Sequence, residues 1–445
     1  MAHDSVPELL ARASQTLEDH FSSLPAWEPY VPGAEGIEAV LDEVAHLLGD
    51  NYPYFHPLYV GQMLRPPHPL ARAAYALAMT INPNNHARDG GRASSEMEIE
   101  AVAQIARMFG WDAHIGHLTS GGTMANLEAL WVAGRLAPGK RIVGSGQAHY
   151  THSRISGVLQ LSYTPLGTDA CGRMDLNALE DELRKGDVGT VVATLGTTAI
   201  GAVDPLDQVL ALRERYGFRV HVDAAYGGYF RLIADELEEP ARRAYEAIEQ
   251  ADSIVVDPHK HGLQPYGCGC VVFRDPLVGR LYKHDSPYTY FTSKELHLGE
   301  ISLECSRPGA AAVALWATQR LLPLERGGVF ARDLARCRAA ALALDTRLRA
   351  DARFVALPGG RPELDIVVWR MAGKTAAECS ARAEETFVAA AIHELHLALV
   401  QLPHFWFGIA ESDELVTCLR SVMMKPEHLD WIDRVWSALI GASGS

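Results

Sequence analysis

Apolar positions in this chain follow two patterns. Through the middle they form short unbroken runs: RIVGS at 141–145, TVVATLG at 190–196, RVHVD at 219–223, SIVVD at 253–257 and CGCVVF at 268–273. Runs this short, rich in β-branched residues, read as strands buried on both faces. Between them, apolar residues recur at helical spacing over Asp175–Lys185, Pro205–Tyr216 and Ala241–Gln250. This βαβα alternation predicts an α/β fold with a parallel sheet covered by helices on both faces.

Toward the ends the pattern changes. The first sixty residues read as helical with Pro-rich breaks at LPAWEPYVPG and NYPYFHP, which predicts an arm laid against another surface. After about residue 325 come a helix at Val329–Ala350, a strand in ELDIVVWRM, another helix, the aromatic run PHFWFGI and a last helix. That order predicts a smaller α+β domain, with the aromatic run as domain packing. The division expected is an arm at 1–60, a large domain at 61–325 and a small C-terminal domain at 326–445.

Composition narrows the class. A chain of 445 residues is long enough for two or three packed domains. Its 48% apolar and 21% charged residues are those of an ordinary soluble protein. A net charge of −15, with no basic run, argues against nucleic-acid binding. No apolar run approaches a membrane span, and the opening MAHDSVPELLARASQTLEDHF lacks the basic and apolar regions of a secretion signal. The seven cysteines are odd in number and never spaced as CxxC; Cys268 and Cys270 flank a single glycine. A reducing cytoplasm is the expected compartment.

Three segments carry candidate chemistry. In HLTSGGTMAN, 117–126, Gly121 and Gly122 let backbone amides approach an anion, and Thr123 adds a hydroxyl. A helix expected over Leu127–Arg135 would add its partial positive charge, so the segment suits a phosphate. In HVDAAYGG, 221–228, Asp223 ends an apolar strand, where open α/β sheets place ligands. An acid there can hold a pyridinium nitrogen protonated, and small Ala224 and Ala225 leave room for a flat ring. In SIVVDPHKHGLQPYGCG, 253–269, Lys260 follows a buried strand and His259. Burial would lower the pKa of that amine and make it a nucleophile. Alone, each has an ordinary reading: a Gly-rich turn, a helix cap, a lysine reaching out of a loop. In this order, the three are the parts a pyridoxal phosphate site needs.

TSGGTMANLEAL, HVDAAYGGYF and VDPHKHG resemble the matching motifs of the group II pyridoxal-dependent decarboxylases. That family includes aromatic amino-acid, glutamate, histidine and archaeal tyrosine/aspartate decarboxylases. The likeness runs from HPLYVGQMLRPPHPLARAAYA to LRSVMMKPEH. It implies a pyridoxal-phosphate transferase fold, like that of aspartate aminotransferase, with a large mainly parallel sheet domain and a small C-terminal domain. It also implies that Lys260 binds the cofactor covalently while Asp223 pairs with the ring nitrogen. His149, in SGQAHYTHS, would stack on one ring face and Ala225 would lie against the other. Thr198 would contact cofactor or substrate, and Gly122, Thr123 and His259 would bind the phosphate. Ser306, in ECSRPGA, would reach the phosphate of a neighbouring subunit, which implies a homodimer with shared active sites. A tyrosine on the 284–300 segment would return a proton to the substrate carbon, with Tyr290 first and Tyr288 second.

The implied reaction converts an L-amino acid into its amine and carbon dioxide, with a tyrosine-like substrate slightly favoured. An aspartate or glutamate enzyme, with Arg88 or Arg92 receiving the second carboxylate, is the nearest alternative. A decarboxylating aldehyde synthase and a carbon–carbon lyase of the sphingosine-phosphate type are the others. His261, after the lysine, stands where many aromatic and glutamate decarboxylases have tryptophan. The pairs His149/His152 and His259/His261 invite a metal reading, but no third ligand with a general base accompanies them, so no metal is expected. Ser120 lies in TSGGT rather than GxSxG, which argues against a serine hydrolase.

Overall fold

The computed structural model describes residues 5–86, 88–283, 302–409 and 415–444. Seven strands form the larger sheet: β1 (Ile115–Thr119), β2 (Arg141–Ser145), β3 (Tyr163–Leu166), β4 (Val188–Thr194), β5 (Arg219–Asp223), β6 (Ser253–Val256) and β7 (Gly269–Phe273). Their order is β1-β7-β6-β5-β4-β2-β3. From β6 across to β3 every neighbouring pair is parallel. All residues of β4, β6 and β7 are buried, as unbroken apolar runs require. Each fully buried valine, Val191 and Val192 among them, contributes about 1.5–3 kcal/mol relative to an exposed one.

The sheet departs from the expected parallel arrangement at β7, which runs antiparallel to both β6 and β1. The reason lies in the connection. A parallel return needs a crossover, usually a helix. The segment between β6 and β7, with Pro258, Gly262, Pro265 and Gly267, forms turns and no helix. The strand therefore comes back beside its neighbour, pairing Ser253 with Phe273 and Val256 with Cys270. β1 then closes the edge, with Ile115 opposite Phe273 and Thr119 opposite Gly269. Two strands, β1 and β3, were not among the expected runs.

The second sheet, β8 (Phe354–Ala356), β9 (Ile366–Met371), β10 (Ala398–Pro403) and β11 (Leu415–Val422), is antiparallel throughout in the order β10-β11-β9-β8. The helices Val329–Ala350, Ala376–Ile392 and His428–Ala442 accompany it. In the aromatic run, Trp406 and Phe407 are buried in the main core. The backbone of Val60 joins this sheet's surroundings by donating to His396 and accepting from Val422. The two helices of the first sixty residues, Val6–His20 and Ile37–Leu48, have no buried residue.

Between the sheet and the segment that resumes at Ser302 lies a buried ion pair. Glu98 accepts from Arg307 at 2.5 Å, from the Leu118 amide at 2.9 Å and from Asn85 at 2.6 Å. Arg307 also donates to the carbonyls of Leu118 and Asn85. Breaking a buried pair from one side leaves a desolvated charge, which costs about 3–5 kcal/mol. Glu98→Ala is therefore expected to lower stability by about that amount in chemical denaturation. A loss below about 1 kcal/mol, the range of an exposed pair, would show that Arg307 is compensated without it.

Candidate active site

The carboxyl ends of β4, β5 and β6 open onto a cavity of about 330 Å³. Its lining includes Gly122, Thr123, His149, Thr198, Asp223 and Ala225, together with His259 and Lys260. Eight of the ten site residues expected from sequence thus meet in one place. Ser306 stands apart from the lining and accepts a hydrogen bond from Asn84 at 3.1 Å. Tyr290 and Tyr288 lie outside the described residues.

One wall is the turn after β1. Gly121 has φ +156°, a conformation side-chain-bearing residues rarely adopt. The following helix spans Gly122–Leu136, several residues earlier than the periodicity suggested, so its first amides face the cavity. A Cβ on Gly122 would fall 2.8 Å from Asp257 Oδ2, and one on Gly121 would meet His259 at 3.3 Å. Small residues here are a spatial requirement. No side chain caps the helix, which leaves its amides for an anion. The Ser120 amide, one residue earlier, donates to the Glu304 carboxylate at 3.0 Å.

The opposite wall carries the buried acid. Asp223 Oδ2 lies 2.8 Å from His152 Nε2, and Oδ1 accepts from the Ala225 amide at 3.1 Å. Burial alone would raise the pKa of this carboxyl. The hydrogen bond and charge of His152, with His221 and the Ala225 amide, outweigh it and hold Asp223 well below the usual carboxylate range. His149 lines the cavity with Nδ1 2.7 Å from the Thr151 hydroxyl. Burial lowers its pKa, with Asp223 acting in the opposite sense.

The floor is the turn between β6 and β7. Lys260 Nζ sits 3.0 Å from Asp257 Oδ2, and its side chain remains 21% exposed, so the amine is both held and reachable. His259 packs its ring 4.8 Å from Tyr266, and burial lowers its pKa. Behind the lysine, His261 is fully buried. It lies 3.2 Å from Asp365, which also accepts from the Tyr226 hydroxyl at 2.5 Å. Arg420, from β11, donates to the carbonyls of Thr198 and Ala199. The small sheet thus braces both sides of the cavity.

Sequence reasoning missed Asp257 and His152. Asp257 sits in the DPHK motif, and an acid three residues before a lysine on a tight turn was a readable signal. His152 was visible only as half of an HxxH pair. Among the described residues no group of three or more metal-ligating side chains comes together. Arg88 pairs with Glu96 at the surface, and neither Arg88 nor Arg92 lines the cavity.

A cavity of this kind suits a flat ring with a basic nitrogen at one end and an anionic tail at the other, within reach of an amine. Pyridoxal phosphate has that form, and two further observations fit it. Asp257 Oδ1 and His259 Nδ1 are buried beside the cavity without a hydrogen-bond partner among the described residues, and the glycine turn leaves the volume that side chains would fill. Fold and cavity together suit pyridoxal-phosphate-dependent chemistry. The chain belongs to the pyridoxal-dependent decarboxylases, whose conserved-domain model matches residues 51–372. It is 29% identical over 401 residues to the L-tyrosine decarboxylase of Enterococcus faecium, covering 67% of this chain and 65% of that one. The chain therefore spans just under two thirds of that relative's length. It is 27% identical over 374 residues to a probable L-tyrosine/L-aspartate decarboxylase of Methanopyrus kandleri, covering 80% of this chain and 95% of that one. The fold matches the crystal structure of mouse CSAD with a TM-score of 0.79 at 20% identity, over 97% of this chain and 92% of that one.

Proposed function

We propose that the protein decarboxylates an L-amino acid to the corresponding amine, with an aromatic, tyrosine-like substrate favoured. The observation that carries this reading is the placement of Lys260 and the anionic Asp223 on one cavity beside an open helix N-terminus. Pyridoxal phosphate, when bound, supplies an electron sink for the pair released from the Cα–carboxylate bond. Lys260 is the amine that would hold the cofactor. Asp223 keeps a proton on the ring nitrogen. His149 and Ala225 would cover the two ring faces, and the amides of Gly122 and Thr123, with His259, would receive the phosphate. Thr198 faces the substrate side, its loop fixed by Arg420. Tyr290 is the proposed donor of the proton that replaces carbon dioxide.

The relatives named for tyrosine and for tyrosine or aspartate support an aromatic or acidic substrate. The surface pairing of Arg88 with Glu96 favours the aromatic one. Tyr266, packed against His259 and hydrogen-bonded to the Met63 carbonyl, adds an aromatic face near the cavity.

The same reading includes a homodimer with shared active sites and the division into 1–60, 61–325 and 326–445. Trp27 is 79% exposed, Tyr30 88% and Leu24 64%. A contiguous apolar arm of this kind is stable in water when a second copy covers it. Ser306 would then serve the partner's phosphate. All seven cysteines are unpaired, which supports a reducing, cytoplasmic setting. No described helix is long and apolar enough to cross a membrane.

The test is incubation of cofactor-loaded protein with each L-amino acid, reading amine, aldehyde and carbon dioxide by mass spectrometry. Amine with matching carbon dioxide from tyrosine is the expected result. Amine from aspartate or glutamate would replace the substrate assignment, and aldehyde would replace the product. Silence across the panel with cofactor bound would overturn the decarboxylase reading.

A further inference from the structure

The pair His149 and His152 divides its labour in a way the spacing does not reveal. His149 lines the cavity, whereas His152, in the first turn of the helix Thr151–Val158, turns beneath it toward β5. Its Nε2 lies 2.8 Å from Asp223 Oδ2, with side chains 0% and 5% exposed. The other ring nitrogen, Nδ1, is buried with no partner among the described residues, so the bond to Asp223 is what sets the tautomer and orientation of the ring. Tyr163 of β3 lies nearly parallel to the imidazole, with ring centroids 6.3 Å apart.

The neighbouring histidine on β5 cannot take over this bond. His221 is engaged on both nitrogens, with Asn126 Oδ1 at 2.8 Å and Ser253 Oγ at 2.9 Å. Besides His152, the hydrogen bond given to Asp223 comes from the Ala225 amide, on the other oxygen. A carboxylate this deeply buried is unstable as an anion unless donors replace the lost water. An uncharged acid at this position could no longer favour a protonated ring nitrogen, and the electron sink would weaken.

We propose that His152 is a positioning residue: it donates from Nε2 to Asp223 and so keeps that carboxylate anionic and aimed at the cofactor's ring nitrogen. This rests on the cofactor site assigned above. It adds a requirement that the cofactor-contacting residues alone do not contain, because His152 itself does not line the cavity.

The experiment compares H152L, which fills the space without a donor, with H152Q, whose amide can donate again. Each is loaded with pyridoxal phosphate carrying 15N at the ring nitrogen. In H152L kcat is expected to fall about 10–100-fold, the range for outer partners that orient a reacting group, with KM little changed. The ring-nitrogen resonance is expected to move toward its unprotonated position. H152Q should recover most of both. Wild-type kcat and an unmoved resonance in H152L would overturn the proposal. If no amino acid is turned over, the decarboxylase reading fails, yet the resonance still decides the role of His152. Should H152L fail to fold, 15N-histidine spectra of the wild-type holoprotein decide the matter. Hydrogen on Nε2 of His152 supports the proposal, and Nε2 without hydrogen overturns it.

Discussion

Lys260→Ala is expected to abolish turnover, by at least ~10⁴-fold, while leaving the fold in place. The size of the effect follows from chemistry. In the proposed role the amine is a nucleophile that no neighbour can replace: among the described residues lining the cavity, Lys260 is the single lysine. The modest structural cost follows from position. Lys260 lies on a turn, is partly exposed, and its backbone bond to the Asp257 carbonyl survives the change. What the fold does lose is the partner at 3.0 Å from Asp257, a nearly buried carboxylate that retains His259 Nε2 at 3.5 Å. The variant should therefore show a slightly lower unfolding midpoint, no yellow absorbance of a covalently held cofactor, and no product. Turnover within tenfold of wild type would remove Lys260 from the site, and with it the reading of the whole cavity.

The second large effect is Asp223→Asn. The amide matches the acid in shape and can still accept from the Ala225 amide, so the strand end should keep its geometry. Its charge is gone, and in the proposed role that charge is what stabilises a proton on the ring nitrogen. Fixed electrostatic stabilisation of this kind is worth about 10²–10³ in kcat when one group is removed. A loss in that range, with cofactor still bound, is expected from steady-state kinetics and absorbance together. Some stability should be lost as well, since a carboxylate held below its ordinary range is one that the fold favours in its charged form. A wild-type rate would show that another group holds the ring nitrogen.

Much of this architecture is legible in the chain, for reasons that differ by element. RIVGS and RVHVD coincide with β2 and β5 because an unbroken apolar run bounded by charge has few other places to go. Helix Val329–Ala350 was readable end to end from its long periodic stripe. Strand direction was not, since an apolar run carries no arrow; only the helix-free turn after β6 hinted at the reversal. β1 hid its character because its His117 is a buried polar residue, with Nε2 3.2 Å from Glu128 of the following helix. β3 contains Pro165, which is tolerated only at the edge it occupies.

The site shows the same division. Lys260, Asp223 and the glycine turn announce themselves through local motifs. His152 meets Asp223 across 71 positions of sequence, and Asp365 meets Tyr226 across 139. No periodicity encodes contacts of that kind, and they are what orient the residues that the motifs name.

The strand order also governs when the molecule can become competent. β1 finds its place only by pairing with β7, so Thr119 must wait for Gly269 to leave the ribosome. Everything between is translated first, and β2 to β6 can assemble among themselves in the meantime. The glycine cradle before the helix Gly122–Leu136 is thus expected to stay unformed until late, because contacts this distant in sequence close slowly. A nascent chain halted before residue 269 would hold Asp223 and Lys260 yet capture no cofactor. Cofactor capture is then expected to follow the emergence of β7 rather than to accompany the assembly of β2 to β6.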